Sequence, residues 1–180
     1  MKNQIIIGLG YRARSGKDTV ANFLIREHGF TRIAFADKLK EVASIITDQD
    51  AKDPDFKTSP VFGMSGGELL QKLGTSMRAD IPNLWIEASG LRQAAQYLSR
   101  IVVTDVRHHN EADIIKELGG SLWHVHRSGT AMDTHITECA GDTIKWDRVV
   151  KNHGSLSDLR DAANAALVDE LRQRGVEYRP

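Results

Sequence analysis

The sequence lacks the features that mark secreted and membrane-bound proteins. Its single cysteine, Cys139, cannot form a disulfide within the chain. No apolar run approaches the roughly 20 residues that a membrane-spanning helix needs. The first apolar stretch also becomes polar again too soon for a signal peptide. We therefore expect a cytoplasmic protein with no membrane role.

An excess of charge of one sign is absent as well. Lysine and arginine number 24, and aspartate and glutamate also number 24. No net field would hold such a chain to a polyanion, so nucleic acid is not an expected partner. What the chain does have is 180 residues with 41% hydrophobic content, enough for one substantial core. We expect a single domain, residues 1–180.

Apolar strands alternate with helical patterns along the chain. The pattern predicts strands at 4–9, 32–36, 100–104, 121–126 and 148–151. Helices are predicted at 17–28, 38–46, 68–78, 84–98 and 111–118, with a last one from 155 onward. The polar stretch 48–67 is interpreted as a surface excursion. The alternation implies a three-layer α/β fold, with a parallel sheet covered by helices on both faces.

A glycine-rich turn joins the first strand to the first helix in IIIGLGYRARSGKDTVANFL. This context is typical of a phosphate-binding loop, here residues 8–19, in which backbone N–H groups and Lys17 surround phosphates at a helix N-terminus. Gly16 lets the backbone approach the ligand, and Arg12 and Arg14 add positive charge. A turn that merely joined two packed elements would have no need of these cations.

Two positions in this loop depart from the usual motif. Tyr11 stands where a glycine is usual, and Asp18 stands where a serine or threonine hydroxyl usually binds magnesium. We therefore predict that the Asp18 carboxylate holds Mg²⁺, directly or through water, and that Thr19 contacts the α-phosphate.

The strand IVVTDVR ends in charged residues at the edge where open parallel sheets bind ligands. Asp105 could orient a nucleophile or a magnesium-bound water, and Arg107 could hold a phosphate. The alternative is a local ion pair at the strand end. Arg127 follows the next strand and opens a polar stretch typical of a mobile lid, about residues 127–140, or of an ordinary surface loop. His108 and His109 are interpreted as lining the site.

Other histidines and tryptophans carry weaker signals. His124 with His126, and His135 with Cys139, are spaced like pairs of metal ligands. Neither pair has a third and fourth ligand, so packing or surface roles are favoured. Trp123 is interpreted as a core residue. Trp85 is either a core residue or a ring that reaches a cleft.

Several segments together resemble the phage-type deoxynucleoside monophosphate kinases, a branch of the P-loop NMP kinase fold. They run in order along nearly the whole chain: ARSGKDTVANFL, FADKLKE, LLQKLGTSMR, the Trp85 helix, VVTDVRHHNEADIIKELGG, HVHR, DTHITE and KNHGSLSDL. Such enzymes move the γ-phosphate of ATP to a deoxynucleoside monophosphate, using Mg²⁺. The resemblance also implies location in the host cytoplasm for a phage-encoded chain, and a homodimer.

The resemblance implies roles for individual residues. Binding of ATP would fall to Arg14, Ser15, Gly16, Lys17, Asp18 and Thr19, and catalysis to Lys17, Asp105, Arg107 and Arg127. A helical region, about 48–98, would bind the substrate. The substrate pocket would be formed by Lys40, Gly74, Thr75, Arg78, Trp85, Asp105, Arg107, His109, Glu111, Thr134, Thr137 and Glu138. Arg78 is included because relatives often carry an arginine where this chain has Gly67 and Glu68.

Two alternatives remain open at the level of sequence. One is another small-metabolite kinase of the same fold, resembling dephospho-CoA kinase, because the loop and lid alone do not distinguish acceptors. The other is a regulatory module that binds a nucleotide without transferring phosphate. Asp105, Arg107 and Arg127 argue against the second alternative, since a pure binder gains nothing from cations placed for a transition state.

Overall fold

The computed structural model describes residues 4–10, 14–127 and 143–176. The chain forms two compact units, one of residues Met1–Ile33 with Arg92–Pro180 and one of residues Ala34–Leu91. In the part of the chain that is described, no helix is both long and apolar enough to cross a bilayer.

Seven strands and seven α-helices occur in the described residues. The strands are β1 (Ile5–Gly10), β2 (Thr31–Ile33), β3 (Pro60–Val61), β4 (Met64–Ser65), β5 (Arg100–Val106), β6 (Ser121–His126) and β7 (Arg148–Lys151). The helices are α1 (Lys17–His28), α2 (Ala36–Thr47), α3 (Gly66–Asp80), α4 (Leu84–Ala88), α5 (Leu91–Tyr97), α6 (His109–Glu117) and α7 (Leu156–Gln173).

The first unit is built on a five-stranded sheet in the order β2-β5-β1-β6-β7. All of its strand pairs are parallel. The strand β1 is buried along its whole length, as its apolar sequence requires for a central parallel strand. Because the strands are parallel, their carboxyl ends lie at one edge, where Gly10 pairs with Val106 of β5 and with His124 of β6.

Helices cover both faces of this sheet. On one face, α1 and α7 pack against alternate residues of the strands in a core formed by Ile5, Ile7, Leu9, Val20, Ala21, Leu24, Phe30, Val102, Trp123, Val125, Val150, Leu159, Ala163, Leu167 and Leu171. On the other face lies α6, whose Ile115 Cδ1 is 2.5 Å from the place a side-chain carbon would take at Gly8. Gly8 is therefore the residue that lets α6 approach the sheet. The predicted three-layer α/β fold is confirmed.

The second unit, residues 34–91, has its own small core. Ala43, Ala51, Phe56 and Val61 are buried there, with Leu69 and Leu70 packed against them. Phe56 lies in a 3₁₀ turn, Pro54–Lys57, and β3 and β4 form a short antiparallel hairpin. The stretch 48–67, interpreted from sequence as a surface excursion, therefore carries part of this core. Its polar composition hid the three buried side chains Ala51, Phe56 and Val61.

Apart from the unpredicted hairpin and 3₁₀ turn within 48–67, the predicted elements agree with the observed ones except in two places. The helix predicted over 84–98 is divided into α4 and α5, because Gly90 lies between them with φ 72°. A positive φ at one residue ends an α-helix. The strand predicted over 32–36 ends at Ile33, and α2 begins at Ala36.

Candidate active site

The phosphate loop connects the carboxyl end of β1 to the N-terminus of α1. Gly16 precedes the helix with φ 103° and ψ 13°, a conformation that favours glycine. Gly10 ends the strand, and a side-chain carbon there would collide with the Trp146 ring and lie 2.7 Å from the Val106 carbonyl oxygen. The loop therefore starts and ends at glycines that no other residue replaces without strain or displacement.

The N-terminus of α1 has no side-chain cap, and the same is true of α2 and α4. The starts of α3 and α7 are closed by capping boxes, Ser65 with Glu68 and Ser155 with Asp158. The helix α1 has no side-chain hydrogen bond at its cap. The first N–H groups of a helix have no partner within the helix. Together with the helix dipole, such groups make the N-terminus of a helix favourable for an anion.

Two polar side chains are buried in this loop. Lys17 is 8% exposed and Ser15 is 1% exposed. The Ser15 Oγ makes no hydrogen bond to another described residue. A buried hydroxyl without a partner is costly in a stable fold. Arg14 is exposed with φ 60°, Asp18 is exposed, and Thr19 is partly exposed.

Asn152, which the sequence reasoning did not single out, joins this loop to the end of β7. Its side-chain amide Nδ2 donates to the Ser15 carbonyl at 2.8 Å. Its backbone N–H donates to the His126 carbonyl at 2.7 Å. The residue lies within the KNHGSLSDL segment of the resemblance, but only the three-dimensional contact shows what it touches.

The residues predicted at the end of β5 lie at the same edge as the loop. Asp105 is partly exposed and precedes Val106, the partner of Gly10 in the sheet. Arg107 is exposed just beyond the strand. Glu111 is 3% exposed, and its Oε2 accepts the backbone N–H of Arg107 at 2.8 Å and that of His108 at 3.1 Å. In this structure the Glu111 carboxylate therefore fixes the backbone from which Arg107 projects.

His109 borders a cavity of about 410 Å³ on the first unit. Its Nε2 lies 2.7 Å from the Thr143 Oγ1. The other lining residues are Ala112, Asp113, Lys116, Leu122, Ile144, Lys145 and Asp147. The Asp147 carboxylate accepts hydrogen bonds from Lys116 Nζ and from the Leu122 N–H, so its negative charge is already compensated.

The substrate residues predicted in the helical region fall on the second unit. Lys40 is partly exposed on α2, and on α3 Thr75 is exposed while Arg78 is partly exposed. Gly74 is buried in contact range of Leu39, with a side-chain carbon placed there 3.1 Å from the leucine. Trp85 is 5% exposed, and its indole N–H donates to the Gly74 carbonyl at 3.2 Å. The Trp85 ring is therefore a packed element of this unit, and its stacking on a base stays a prediction.

Some predicted residues lie outside the described part of the chain. These are Tyr11, Arg12, Thr134, Thr137 and Glu138, together with His135, Cys139 and all of the predicted lid beyond Arg127. Arg127 itself is described and is exposed directly after β6.

No group of three or more possible metal ligands occurs among the described histidine, cysteine, aspartate and glutamate residues. His124 and His126 contact each other edge to face with ring centroids 5.4 Å apart, and His126 contacts His153 in the same way at 5.3 Å. Trp123 is fully buried and its indole N–H donates to the Ser121 Oγ. Its predicted core role is confirmed.

The opposite, amino-terminal edge of the sheet carries a buried carboxylate with its partners in place. Glu170 accepts from Arg148 Nε at 2.9 Å and from Arg174 Nε at 2.6 Å. Burial raises the pKa of Glu170, but the hydrogen bonds from Arg148, Arg174 and Ser121 together outweigh it, so the pKa lies below its ordinary value. This cluster joins α7 to β7 and, through Arg174, to the Gly119 carbonyl.

A parallel sheet with a glycine-rich loop leading to an uncapped helix and a buried lysine defines a P-loop kinase fold. Solved structures of the same architecture agree. Shikimate kinase from Aquifex aeolicus matches with a TM-score of 0.56 and 13% identity, covering 94% of this chain and 98% of that one. Dephospho-CoA kinase from Campylobacter jejuni matches with a TM-score of 0.54 and 14% identity, covering 97% and 100%. Identities this low show the fold alone.

Sequence relatives define the family. The family model for deoxynucleotide monophosphate kinase matches residues 61–162. A protein of Acanthamoeba polyphaga mimivirus, provisionally named deoxynucleotide monophosphate kinase, is 31% identical over 183 residues, covering 86% of this chain and 92% of the relative. The deoxynucleotide monophosphate kinase of Escherichia phage RB69 is 34% identical over 97 residues, covering 51% of this chain and 40% of the phage protein. The chain belongs to the deoxynucleotide monophosphate kinase family.

Proposed function

We propose that this chain transfers the γ-phosphate of ATP to a deoxynucleoside 5′-monophosphate, giving the diphosphate used for DNA precursor synthesis. The observation that carries the proposal is the phosphate loop at the carboxyl edge of the sheet. There the N-terminus of α1 meets the buried Lys17 and a Ser15 hydroxyl that has no partner among the described residues, in a chain of this family. The single-domain organisation and the dimer stay predictions.

The loop fits the triphosphate of ATP in three ways. The start of α1 would donate from its backbone, Lys17 would supply positive charge, and Gly16 takes the positive φ of the turn that leads into the helix. The Ser15 Oγ would gain the partner that it lacks among described residues. We assign ATP binding to Arg14, Ser15, Gly16, Lys17, Asp18 and Thr19.

Magnesium fits the same place without a dedicated protein cage. Mg²⁺ is usually held by one or two carboxylates, phosphate oxygens and water, so a cluster of three protein ligands is not required. Asp18 lies in the first turn of α1 and is exposed, which suits a carboxylate that reaches a phosphate-bound ion directly or through water. When bound, the ion would offset charge on the transferring phosphate.

The reaction itself needs positioning and positive charge more than covalent chemistry. An oxygen of the acceptor phosphate attacks the γ-phosphorus in line, and the bond from that phosphorus to the β,γ-bridging oxygen breaks, leaving ADP. Lys17, Arg107 and Arg127 would stabilise the charge on the equatorial oxygens. Asp105, at the sheet edge beside the loop, would orient the nucleophile or a bound water.

We assign acceptor binding to the residues that the family resemblance implies. Lys40, Gly74, Thr75, Arg78 and Trp85 belong to the helical unit, and Asp105, Arg107, His109 and Glu111 belong to the sheet unit. Thr134, Thr137 and Glu138 complete the proposed set. Glu111 acts in this scheme through the Arg107 backbone that it holds.

The proposal is tested by measuring ADP release from ATP and Mg²⁺ with dAMP, dGMP, dCMP and dTMP in turn. We expect release that depends on at least one of these acceptors. An Asp18→Asn variant is the companion measurement, and we expect it to shift the magnesium dependence of the rate. An unchanged dependence would remove Asp18 from the magnesium site while leaving the kinase assignment intact.

A further inference from the structure

We infer that Asn152 is a positioning residue for phosphoryl transfer, which holds the phosphate-loop backbone in the conformation that binds ATP. The inference rests on the proposed function. Asn152 lies directly after β7 and is partly buried. It is 137 positions from Ser15 in the sequence, yet the two residues are joined by a hydrogen bond.

The first contact fixes the direction of one peptide group in the loop. The Asn152 Nδ2 donates to the Ser15 carbonyl at 2.8 Å. That carbonyl and the Gly16 N–H belong to the same planar trans peptide, in which the C=O and N–H bonds point in opposite directions. Holding the Ser15 carbonyl toward Asn152 therefore turns the Gly16 N–H away from it. The loop keeps this donor oriented before any phosphate arrives.

The second contact is between the Asn152 amide and Gly16 itself. A side-chain carbon at Gly16 would lie 2.6 Å from the Asn152 Nδ2 and 3.3 Å from Leu159 Cδ2. Gly16 is thus required for two reasons, its φ of 103° and the space that Asn152 occupies. The loop conformation and the position of Asn152 specify each other.

The third contact anchors Asn152 from the other side. Its backbone N–H donates to the His126 carbonyl at 2.7 Å, at the end of β6 and directly before Arg127. One residue therefore connects the loop that carries Lys17 to the strand end that carries Arg127. Displacements of about 1 Å in a catalytic arrangement can cost roughly 100-fold in rate. Because Asn152 connects the segments that carry Lys17 and Arg127, its loss could displace one of these cations relative to the other.

The test uses Asn152→Asp and Asn152→Ala. Asp replaces the donor by an acceptor that faces a carbonyl oxygen, and adds negative charge beside the triphosphate site, whereas Ala only removes the donor. We expect KM for ATP to rise about tenfold in the Asp variant, the loss of roughly one hydrogen bond to a constrained group, and less in the Ala variant. KM for the deoxynucleoside monophosphate should stay within about twofold, because Asn152 contacts the ATP loop. A general loss of stability would not change one KM and leave the other unchanged, so the comparison separates the two explanations.

Asn164→Asp is the matched control. The Asn164 Oδ1 lies 2.8 Å from the His28 Nε2, at the far end of α1 from the loop. The chemical change is the same, and both KM values should remain those of the wild type. Equal changes in the two KM values of the Asn152 variants, or a KM for ATP within twofold of wild type in both, would overturn the inference.

Two further readouts keep the inference separate from folding and from the proposed function. If the Asn152 variants do not unfold cooperatively, they are not properly folded, and the inference is tested on the wild-type protein by hydrogen exchange. Its Asn152 side-chain amide protons should exchange slowly without ATP, and exchange as fast as in an exposed asparagine would overturn the inference. If the wild type transfers no phosphate, the proposed function fails. ATP affinity by calorimetry then still decides about Asn152, with binding about tenfold weaker expected for Asn152→Asp.

Discussion

The two edges of the central sheet treat their polar groups in opposite ways. At the amino-terminal edge, Glu170 is buried and bonded on both oxygens by Arg148 and Arg174. At the carboxyl edge, the Ser15 hydroxyl is buried without a described partner and α1 begins without a side-chain cap. One edge of the sheet therefore carries a completed ionic cluster, and the other carries a buried hydroxyl without a described partner.

This difference separates stability from function. A buried polar group that has its partners holds the fold, and one without partners costs stability until something supplies them. At the amino-terminal edge the protein supplies both partners itself, since α7 brings the Glu170 carboxylate to β7. At the carboxyl edge, we propose that a bound phosphate supplies the missing partners. Changes at the two edges should therefore produce different phenotypes.

The largest effect is expected for Lys17→Ala at the carboxyl edge. Loss of its charge should lower kcat/KM by roughly 100- to 1000-fold, as for removal of one preorganised donor from a charged transition state. Lys116→Ala is the control, because Lys116 is bonded to Asp147 away from the loop. Thermal unfolding of both variants should stay close to wild type. An active Lys17→Ala enzyme would show that the phosphates bind elsewhere.

Gly16→Ala compared with Gly29→Ala should give the next largest effect. Both glycines have positive φ, 103° and 65°, so both substitutions carry backbone strain of roughly 1–2 kcal/mol. Nothing lies within 4 Å of a side-chain carbon at Gly29, whereas Asn152 is in the way at Gly16. We expect a moderate loss of stability for Gly29→Ala and a larger one for Gly16→Ala, with a loss of activity of at least about tenfold only for Gly16→Ala. Equal kcat/KM in the two variants would contradict this.

Glu170→Gln tests the completed edge. Because donors approach both carboxylate oxygens, the new amide NH₂ would face an arginine N–H. We expect a loss of about 2 kcal/mol in unfolding free energy at neutral pH, with KM values unchanged.

The pKa of Glu170 also predicts how the stability difference between wild type and Glu170→Gln changes with pH. The pKa of Glu170 is lower in the folded protein than in the unfolded chain. The ionised Glu170 therefore adds to the free energy of unfolding above the unfolded pKa, and this stabilisation is lost as the pH falls through the folded pKa. The stability difference between wild type and Glu170→Gln should therefore shrink in acid, as measured by urea unfolding over a pH series. A difference that grows in acid would mean that the sign is wrong.

The smallest effect is expected for Ser15→Ala. Stability without ATP should be unchanged or higher, whereas binding of ATP should be weaker. Removing a buried hydroxyl that has no partner in the described part of the chain should leave the ATP-free protein as stable as wild type, or up to about 1 kcal/mol more stable. KM for ATP should rise a few-fold, because the hydroxyl is then missing from the phosphate site. A clear loss of stability without nucleotide would show that the hydroxyl already has a structural partner.

Much of the fold could be predicted because the central strands are apolar throughout and the glycines of the loop stand between a strand and a helix. The helix α1 was predicted with its observed ends, Lys17 and His28, since the loop glycines and Gly29 mark them. The core in the second unit could not be predicted in the same way. Phe56 and Val61 stand singly in a polar stretch, and burial of single residues leaves no periodic pattern.

The candidate site was predictable where it is local in sequence. The loop needs only neighbouring residues, so Gly16 and Lys17 could be proposed from their place between a strand and a helix, and Ser15 from the family resemblance. Asn152 could not, because its contact with Ser15 spans 137 positions and a single asparagine in a polar segment gives no signal. Glu111 shows the converse. Its position in the sequence suggested a substrate contact, and the structure shows its carboxylate bonded to backbone N–H groups.

The most direct test of the central claim follows the phosphate itself. Wild-type protein is incubated with γ-labelled ATP, Mg²⁺ and a deoxynucleoside monophosphate accepted in the ADP-release panel, and the products are separated. Our account predicts label in the deoxynucleoside diphosphate in amounts equal to the ADP formed, with little in inorganic phosphate. Label released as inorganic phosphate whether or not the acceptor is present would contradict it.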